Sequence, residues 1–183
     1  MIIGLCGKSG SGKTTVARAI IEDIPNAIHC DIDKIGHKVM AIKEVQEEAI
    51  KCFGVQITTE GKIDRKKLAE LVFSSRERMQ ELRNITWKDM KTEINKIIQD
   101  EDVELLILDW ILLPETDYFE MCDLKILLDV PYEIRKERAM ARDNISAEAF
   151  DLRDGATEEY DKARFDLVIS NGDINEIRKK VMK

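Results

Sequence analysis

The sequence predicts an α/β fold: a five-stranded parallel sheet with helices on both faces, a helical insertion and an arginine-bearing lid. Three observations point there. Residues 103–109 and 124–129 are short and almost continuously apolar, as strands covered on both faces are. Stretches of helical periodicity separate such segments, and strands joined through helices run parallel. A glycine-rich turn follows the first apolar segment, with Gly4, Gly7, Gly10 and Gly12 supplying four of the nine glycines.

Each element follows in order. Ile2–Cys6 reads as the first strand, residues 13–23 as the first helix and Ala27–Asp31 as a short second strand. Ile35, Val39, Ile42, Val45 and Ile50 recur at three- to five-residue steps, which predicts helix through 34–53. A turn over 54–62 leads to helices at 65–73 and 77–99. Strands are expected at 103–109, 124–129 and 166–170. Pro131 opens a helix running to about residue 141, and Asp173-Ile174-Asn175-Glu176 fits a capping box that opens a last helix. The helical stretch between the second and third major strands exceeds what a crossover needs. The expected organisation is one domain, with a core over about 1–53 and 101–183, a helical lobe over about 54–100 and a lid over about 138–155.

Composition excludes several classes. With 183 residues, 44% of them hydrophobic, the chain can bury a real core and is not a disordered one. Twenty-nine basic against 36 acidic residues leave a net charge of −7, which disfavours general nucleic-acid binding. No apolar run approaches the ~20 residues of a membrane-spanning helix. Met1-Ile2-Ile3 has no basic leader and lysines arrive within the first thirteen residues, so a cytoplasmic protein without membrane or nucleic-acid partners is expected. Cys6, Cys30, Cys52 and Cys122 are too scattered to suggest a disulfide framework or a zinc site. Charge is uneven, however. Over 60–96 basic residues outnumber acidic ones ten to seven, and a locally basic segment in an acidic chain can receive a small anionic ligand.

The sharpest motif is Gly7-Lys8-Ser9-Gly10-Ser11-Gly12-Lys13-Thr14, which matches G-x-x-x-x-G-K-[ST]. Glycines let the backbone bend and aim N–H groups inward around phosphate oxygens. The following helix offers the same anion its positive end. Gly7, Ser9, Gly10, Ser11, Gly12, Lys13, Thr14 and Thr15 are therefore the candidate ATP-binding residues, with Lys13 reaching the β/γ-phosphates and the Thr14 hydroxyl ligating Mg²⁺ directly. A strand before and a helix after the motif supply the context it requires. This is a P-loop.

Among P-loop proteins a GTPase needs a guanine-reading N-K-x-D, but Asn95-Lys96 is followed by Ile97-Ile98. A small-molecule kinase fits the layout better. Arg138 and Arg142 are spaced i, i+4 on one helical face, where a mobile lid presents cations to a transferring phosphoryl group and excludes water. Asp31 and Asp33 stand where the second strand ends, on the sheet edge that receives ligands in such folds. Strand alternation would point both the same way. One carboxylate is expected to orient or deprotonate an acceptor hydroxyl and the other to support the metal's water shell; alternation alone does not choose between them, and Asp33 is also a candidate helix N-cap. Asp109 ends the third major strand similarly and is a further candidate for substrate or water-mediated metal contact.

Taken together these residues resemble the dephospho-CoA kinase family over nearly the whole chain. The family's G-G-x-G-S-G-K-[ST] fits the P-loop, with Lys8 where glycine is usual. Its D-x-D matches Asp31-Ile32-Asp33. Its G-x-[IL]-[DN]-R-x-x-L-x-x-x-V-F matches Gly61-Lys62-Ile63-Asp64-Arg65-Lys66-Lys67-Leu68-Ala69-Glu70-Leu71-Val72-Phe73. D-x-P-L-L-x-E is echoed from Asp109 to Glu115 with the proline displaced, R-x-x-x-R-D fits Arg138 to Asp143, and A-D-x-V-I-x-N fits Phe165 to Asn171 apart from its first residue.

The resemblance implies a P-loop kinase in which ATP–Mg²⁺ donates a phosphoryl group to the ribose 3′-hydroxyl of dephospho-CoA. It implies Asp33 as the base, Asp31 as a possible metal residue through water, Arg142 as the lid arginine and Asn171 beside the adenine. The lobe with Arg65, Trp87 and Lys88 would hold the acceptor. Trp87-Lys88 stands where the family usually has His-Pro, and the family's post-lid arginine and glutamine meet Phe150-Asp151-Leu152-Arg153-Asp154-Gly155, where Arg153 is the one residue able to substitute. The expected assembly is a monomer or small homo-oligomer. Two rival readings are a paralogous kinase acting on another nucleoside, nucleotide or small hydroxyl compound, and a non-catalytic ATP-binding switch.

Overall fold

The computed structural model describes residues 1–22, 24–170 and 177. The chain divides into two compact units, Met1–Ile32 with Ile97–Lys183, and Asp33–Lys96. The second begins at Asp33, earlier than the residue-54 boundary read from the sequence.

In the first unit, β1 (Ile2–Cys6) leads into α1 (Lys13–Ile21) and β2 (Ala27–Asp31). In the second, α2 (Ile32–Val39, entered at the unit boundary) and α3 (Lys43–Phe53) precede a small hairpin, β3 (Thr58–Thr59) and β4 (Lys62–Ile63), then α4 (Arg65–Val72) and α5 (Arg76–Ile98). The chain returns to the first unit through β5 (Leu105–Asp109), α6 (Asp117–Glu120), β6 (Leu124–Leu128), α7 (Tyr132–Asp143), α8 (Ala147–Gly155) and β7 (Leu167–Ile169). The capping box at 173–176 lies outside the described residues.

The sheet has the order β2-β5-β1-β6-β7, and every described pairing in it is parallel. That arrangement follows from the apolar runs: all five residues of β5 are buried, as a strand between two helical layers requires. Ile3, Leu5, Ile107, Ile126 and Leu128 meet Val16, Ala17 and Ile20 of α1 in one core, which Ile177 joins. Each such fully buried side chain contributes roughly 1.5–3 kcal/mol relative to exposure. The second unit has a core of its own. Ala49, Phe53, Ile57, Leu68 and Val72 form it, with Met40, Ile63 and Leu82 packed alongside. Because Ala49 and Phe53 of α3 belong to this cluster, the helices ahead of residue 54 belong with the helical unit.

Two local expectations need correction. The single helix over 34–53 is two, broken where Ala41 and Ile42 donate to Lys38 and Val39 in a turn rather than four residues back. The strand alternation expected to align Asp31 with Asp33 stops at Ile32, which is already the first residue of α2. Asp33 lies in the first turn, and the position ahead of the helix falls on Asp31 rather than on Asp33.

Candidate active site

Residues 7–12 carry the chain from the carboxyl end of β1 into α1. Gly12, at the helix N-cap, has a left-handed φ of 91°, a conformation costly for any residue with a Cβ. Gly10 (φ 80°) lies so close to α7 that an added Cβ would stand 2.2 Å from the Arg135 carbonyl oxygen. α1 has neither a side-chain cap nor an acidic residue in its first turn, so its leading N–H groups are left for an external anion. The Ser11 hydroxyl points the same way: it is buried with no hydrogen-bond partner among the described residues. Buried hydroxyls are normally paired, and a phosphate oxygen in the loop would complete this one. The loop therefore fits the phosphates of ATP. Lys13 arches over it, its Nζ donating to the Gly7 carbonyl at 2.8 Å. Thr14 is half-buried and Thr15 exposed.

At the carboxyl ends of the strands, Asp31 of β2 and Asp109 of β5 stand opposite each other in register. Asp109 is buried, and His29 Nε2 lies 3.0 Å from its Oδ2. His29 was invisible as a partner of Asp109 in the sequence, although it shares a strand face with Asp31.

Helix α7 divides its arginines. Arg138 is exposed, and its Nη1 is the nearest atom, at 4.0 Å, to where a Cβ on Gly12 would stand. Arg142 instead grips Asp143 through two bonds of 2.7 and 2.8 Å, and Arg153 of α8 holds the same carboxylate at 2.7 Å. These bonds, Arg142 first, lower the Asp143 pKa from 3.8 to about 2. A depressed carboxyl pKa contributes stability that is complete above the unfolded value and is lost as the pH falls through the folded one. Asp143→Asn should therefore melt below the unmodified protein at neutral pH, and the gap should narrow as the pH drops from 3.8 towards 2. Melting curves across that range test this; a gap independent of pH would contradict the pairing.

In the helical unit, Asp64 caps α4 by accepting from the Lys66 and Lys67 N–H groups, which sets exposed Arg65 as the first helical residue. Trp87 of α5 is half-buried and stacked between the Arg83 guanidinium (5.6 Å) and the Lys91 ammonium (5.9 Å), one turn to either side. Lys88 beside it is exposed. Asn171 lies outside the described residues.

Sequence reasoning missed three further side chains around the P-loop. Lys8 is buried and paired with Glu159. Tyr160, half-buried with its phenol pKa pushed up by desolvation, donates to the Ile111 carbonyl at 2.8 Å. Arg135 is buried and donates to the Ser9 carbonyl. Only Lys8 carried a signal, as the lysine at a position where glycine is usual.

The family model of dephospho-CoA kinase (CoaE) matches residues 1–176. The chain is 39% identical to the dephospho-CoA kinase of Aquifex aeolicus, across 99% of this chain and 94% of the relative. It is 32% identical to that of Fusobacterium nucleatum, across 99% and 95%. Among solved structures it is similar to TT1252 from Thermus thermophilus, with a TM-score of 0.82 and 28% identity over 100% of this chain and 96% of the other.

Proposed function

Since the chain belongs to the dephospho-CoA kinase family, we propose that it transfers the γ-phosphoryl group of ATP to the ribose 3′-hydroxyl of dephospho-CoA, giving coenzyme A and ADP. The observation that carries this reading is the family match over residues 1–176, with a P-loop whose buried Ser11 hydroxyl has no partner among the described residues. The acceptor oxygen forms a bond to the γ-phosphorus as the bond to the β–γ bridging oxygen breaks, and the hydroxyl proton passes to a carboxylate. Loop N–H groups, the Ser11 hydroxyl and the α1 N-terminus hold the phosphates, and Lys13 meets charge developing on the transferring oxygens. Arg138 and Arg142 of the lid add to that positive field and help exclude water.

Asp33 serves as the base and Asp31 supports the geometry around the metal. Among the described residues no group of carboxylates, cysteines and histidines is built to hold a metal. The Thr14 hydroxyl would hold a Mg²⁺ ion arriving on ATP, which would keep several waters as this cation usually does. When bound it would neutralise charge across the β- and γ-phosphates. Arg65, Trp87, Lys88 and Asp109 serve acceptor binding, the tryptophan offering an aromatic face among cations. With this reading go a cytoplasmic location and a monomer or small homo-oligomer; no described helix is long and apolar enough to cross a membrane.

ADP release measured with dephospho-CoA, and then with a panel of nucleosides and nucleotides, tests the reading. ADP should form fastest with dephospho-CoA by a wide margin. Faster turnover of another hydroxyl compound would favour the paralogous kinase.

A further inference from the structure

Arg135 sits three residues ahead of Arg138 but is buried where Arg138 is exposed. Its guanidinium uses all its arms: Nε donates to the Val130 carbonyl at 3.0 Å, and Nη1 to the Ser9 carbonyl at 3.3 Å. Nη1 and Nη2 also hold the two carboxylate oxygens of Asp154 at 2.5 and 3.3 Å. Asp154 is itself nearly buried, with a side chain 11% exposed. A buried fork-to-fork pair of this kind fixes orientation as well as charge.

The bond to Ser9 carries the argument. A peptide group is planar and trans, so a carbonyl pulled one way turns the N–H of the next residue the other way. With the Ser9 oxygen drawn to Arg135, the Gly10 N–H is turned away from that guanidinium. Gly10 leaves no room for adjustment, since the loop backbone rests directly on the Arg135 backbone. A neighbouring tie acts on the same stretch of loop: Lys8 pairs with Glu159. Residues 8 and 9 are thus each held, directly or through Arg135, by the segment 154–159 at and after the end of α8.

We propose that Arg135 and Asp154 are positioning residues for the donor nucleotide: together they clamp the P-loop backbone in its phosphate-binding form and couple it to α8. The coupling is direct. Arg153, the neighbour of Asp154 on α8, holds the Asp143 carboxylate that also binds Arg142. One short helix therefore anchors both the loop that receives the phosphates and an arginine of the lid. This inference rests on the proposed ATP site and adds to it the parts that keep the loop in shape.

The test separates shape from stability. Removing one partner of a buried pair leaves an uncompensated charge and destabilises the fold, whereas replacing both with apolar residues of similar volume is often neutral. The double variant Arg135→Met with Asp154→Leu should thus melt near the unmodified protein but lose the donor that pins the Ser9 carbonyl. Titration with ATP in the absence of acceptor should show its Kd raised about tenfold or more, the scale of one lost hydrogen bond from a charged group. In turnover its KM for ATP should rise while its KM for dephospho-CoA does not. Arg135→Lys provides a second route should the double variant fail to fold. A lysine keeps the charge beside Asp154 but has no planar fork to hold both Asp154 and Ser9, so its Kd for ATP should rise as well. A folded variant of either kind that binds ATP as tightly as the unmodified protein overturns the clamp while leaving the kinase reading intact. Failure of the unmodified protein to bind ATP overturns both.

Discussion

Lys13→Ala should lower turnover at saturating ATP by roughly two to three orders of magnitude, the loss typical when one preorganised donor to developing charge is removed. The ammonium lies over the P-loop on the Gly7 carbonyl and belongs to neither hydrophobic core. Its loss to the fold should stay near the ~0.5 kcal/mol of an ordinary surface change, against about 3–4 kcal/mol lost from the transition state. Chemistry wins by a wide margin, so the melting temperature should barely move. Steady-state kinetics beside a melting curve check this. Unchanged turnover at saturating ATP would mean that the loop does not serve phosphoryl transfer.

Asp33→Asn should keep ATP–Mg²⁺ affinity and lower turnover by about two to four orders of magnitude, the usual yield of general acid–base catalysis. Asparagine is nearly isosteric, and Asp33 is an exposed residue in the first turn of α2. Removing its charge from that helix end costs only about 0.3–1 kcal/mol. Asp31→Asn should be milder if Asp31 supports geometry and metal hydration alone. Asp31 ends β2 and Asp33 lies in the first turn of α2, so their environments differ and so should their variants. A loose transition state needs little proton abstraction, and orientation of the hydroxyl can then be the larger part of the role. pH–rate profiles of both variants separate orientation from basicity. If Asp33→Asn turns over normally while Asp31→Asn is dead, the two roles must be exchanged.

The parallel sheet was legible because burial on both faces leaves a strand almost wholly apolar, and residues 105–109 and 124–128 carry that mark. The P-loop was legible because its demands are local: glycines for backbone reversal, a lysine and a hydroxyl at fixed offsets. The break after Val39 was not. Apolar steps of three to five residues run from Val39 through Ile42 to Val45, so the periodicity passes straight across the turn. The β3–β4 hairpin escaped because two-residue strands have no measurable period.

Arg135 escaped for a different reason. In sequence it is one cation in Arg135-Lys136-Glu137-Arg138, and helical spacing makes the Arg138–Arg142 face the conspicuous one. Its burial depends on Asp154, on another helix, and on a loop carbonyl 126 residues earlier. His29 is similar: its partner Asp109 is 80 residues away and meets it only once β2 and β5 pair. Motifs reveal what touches the ligand. Residues that hold those motifs in place become visible only in three dimensions.

The central claim is transfer of a phosphoryl group from ATP to dephospho-CoA, and one measurement meets it directly. The purified protein is incubated with ATP labelled at the γ-phosphate, Mg²⁺ and dephospho-CoA, and the products are separated and identified by mass, with Lys13→Ala alongside. The account predicts that the label moves to a product with the mass and mobility of coenzyme A, and that the variant yields little of it. Label released as free phosphate, left on ATP, or carried to any acceptor in preference to dephospho-CoA would contradict it.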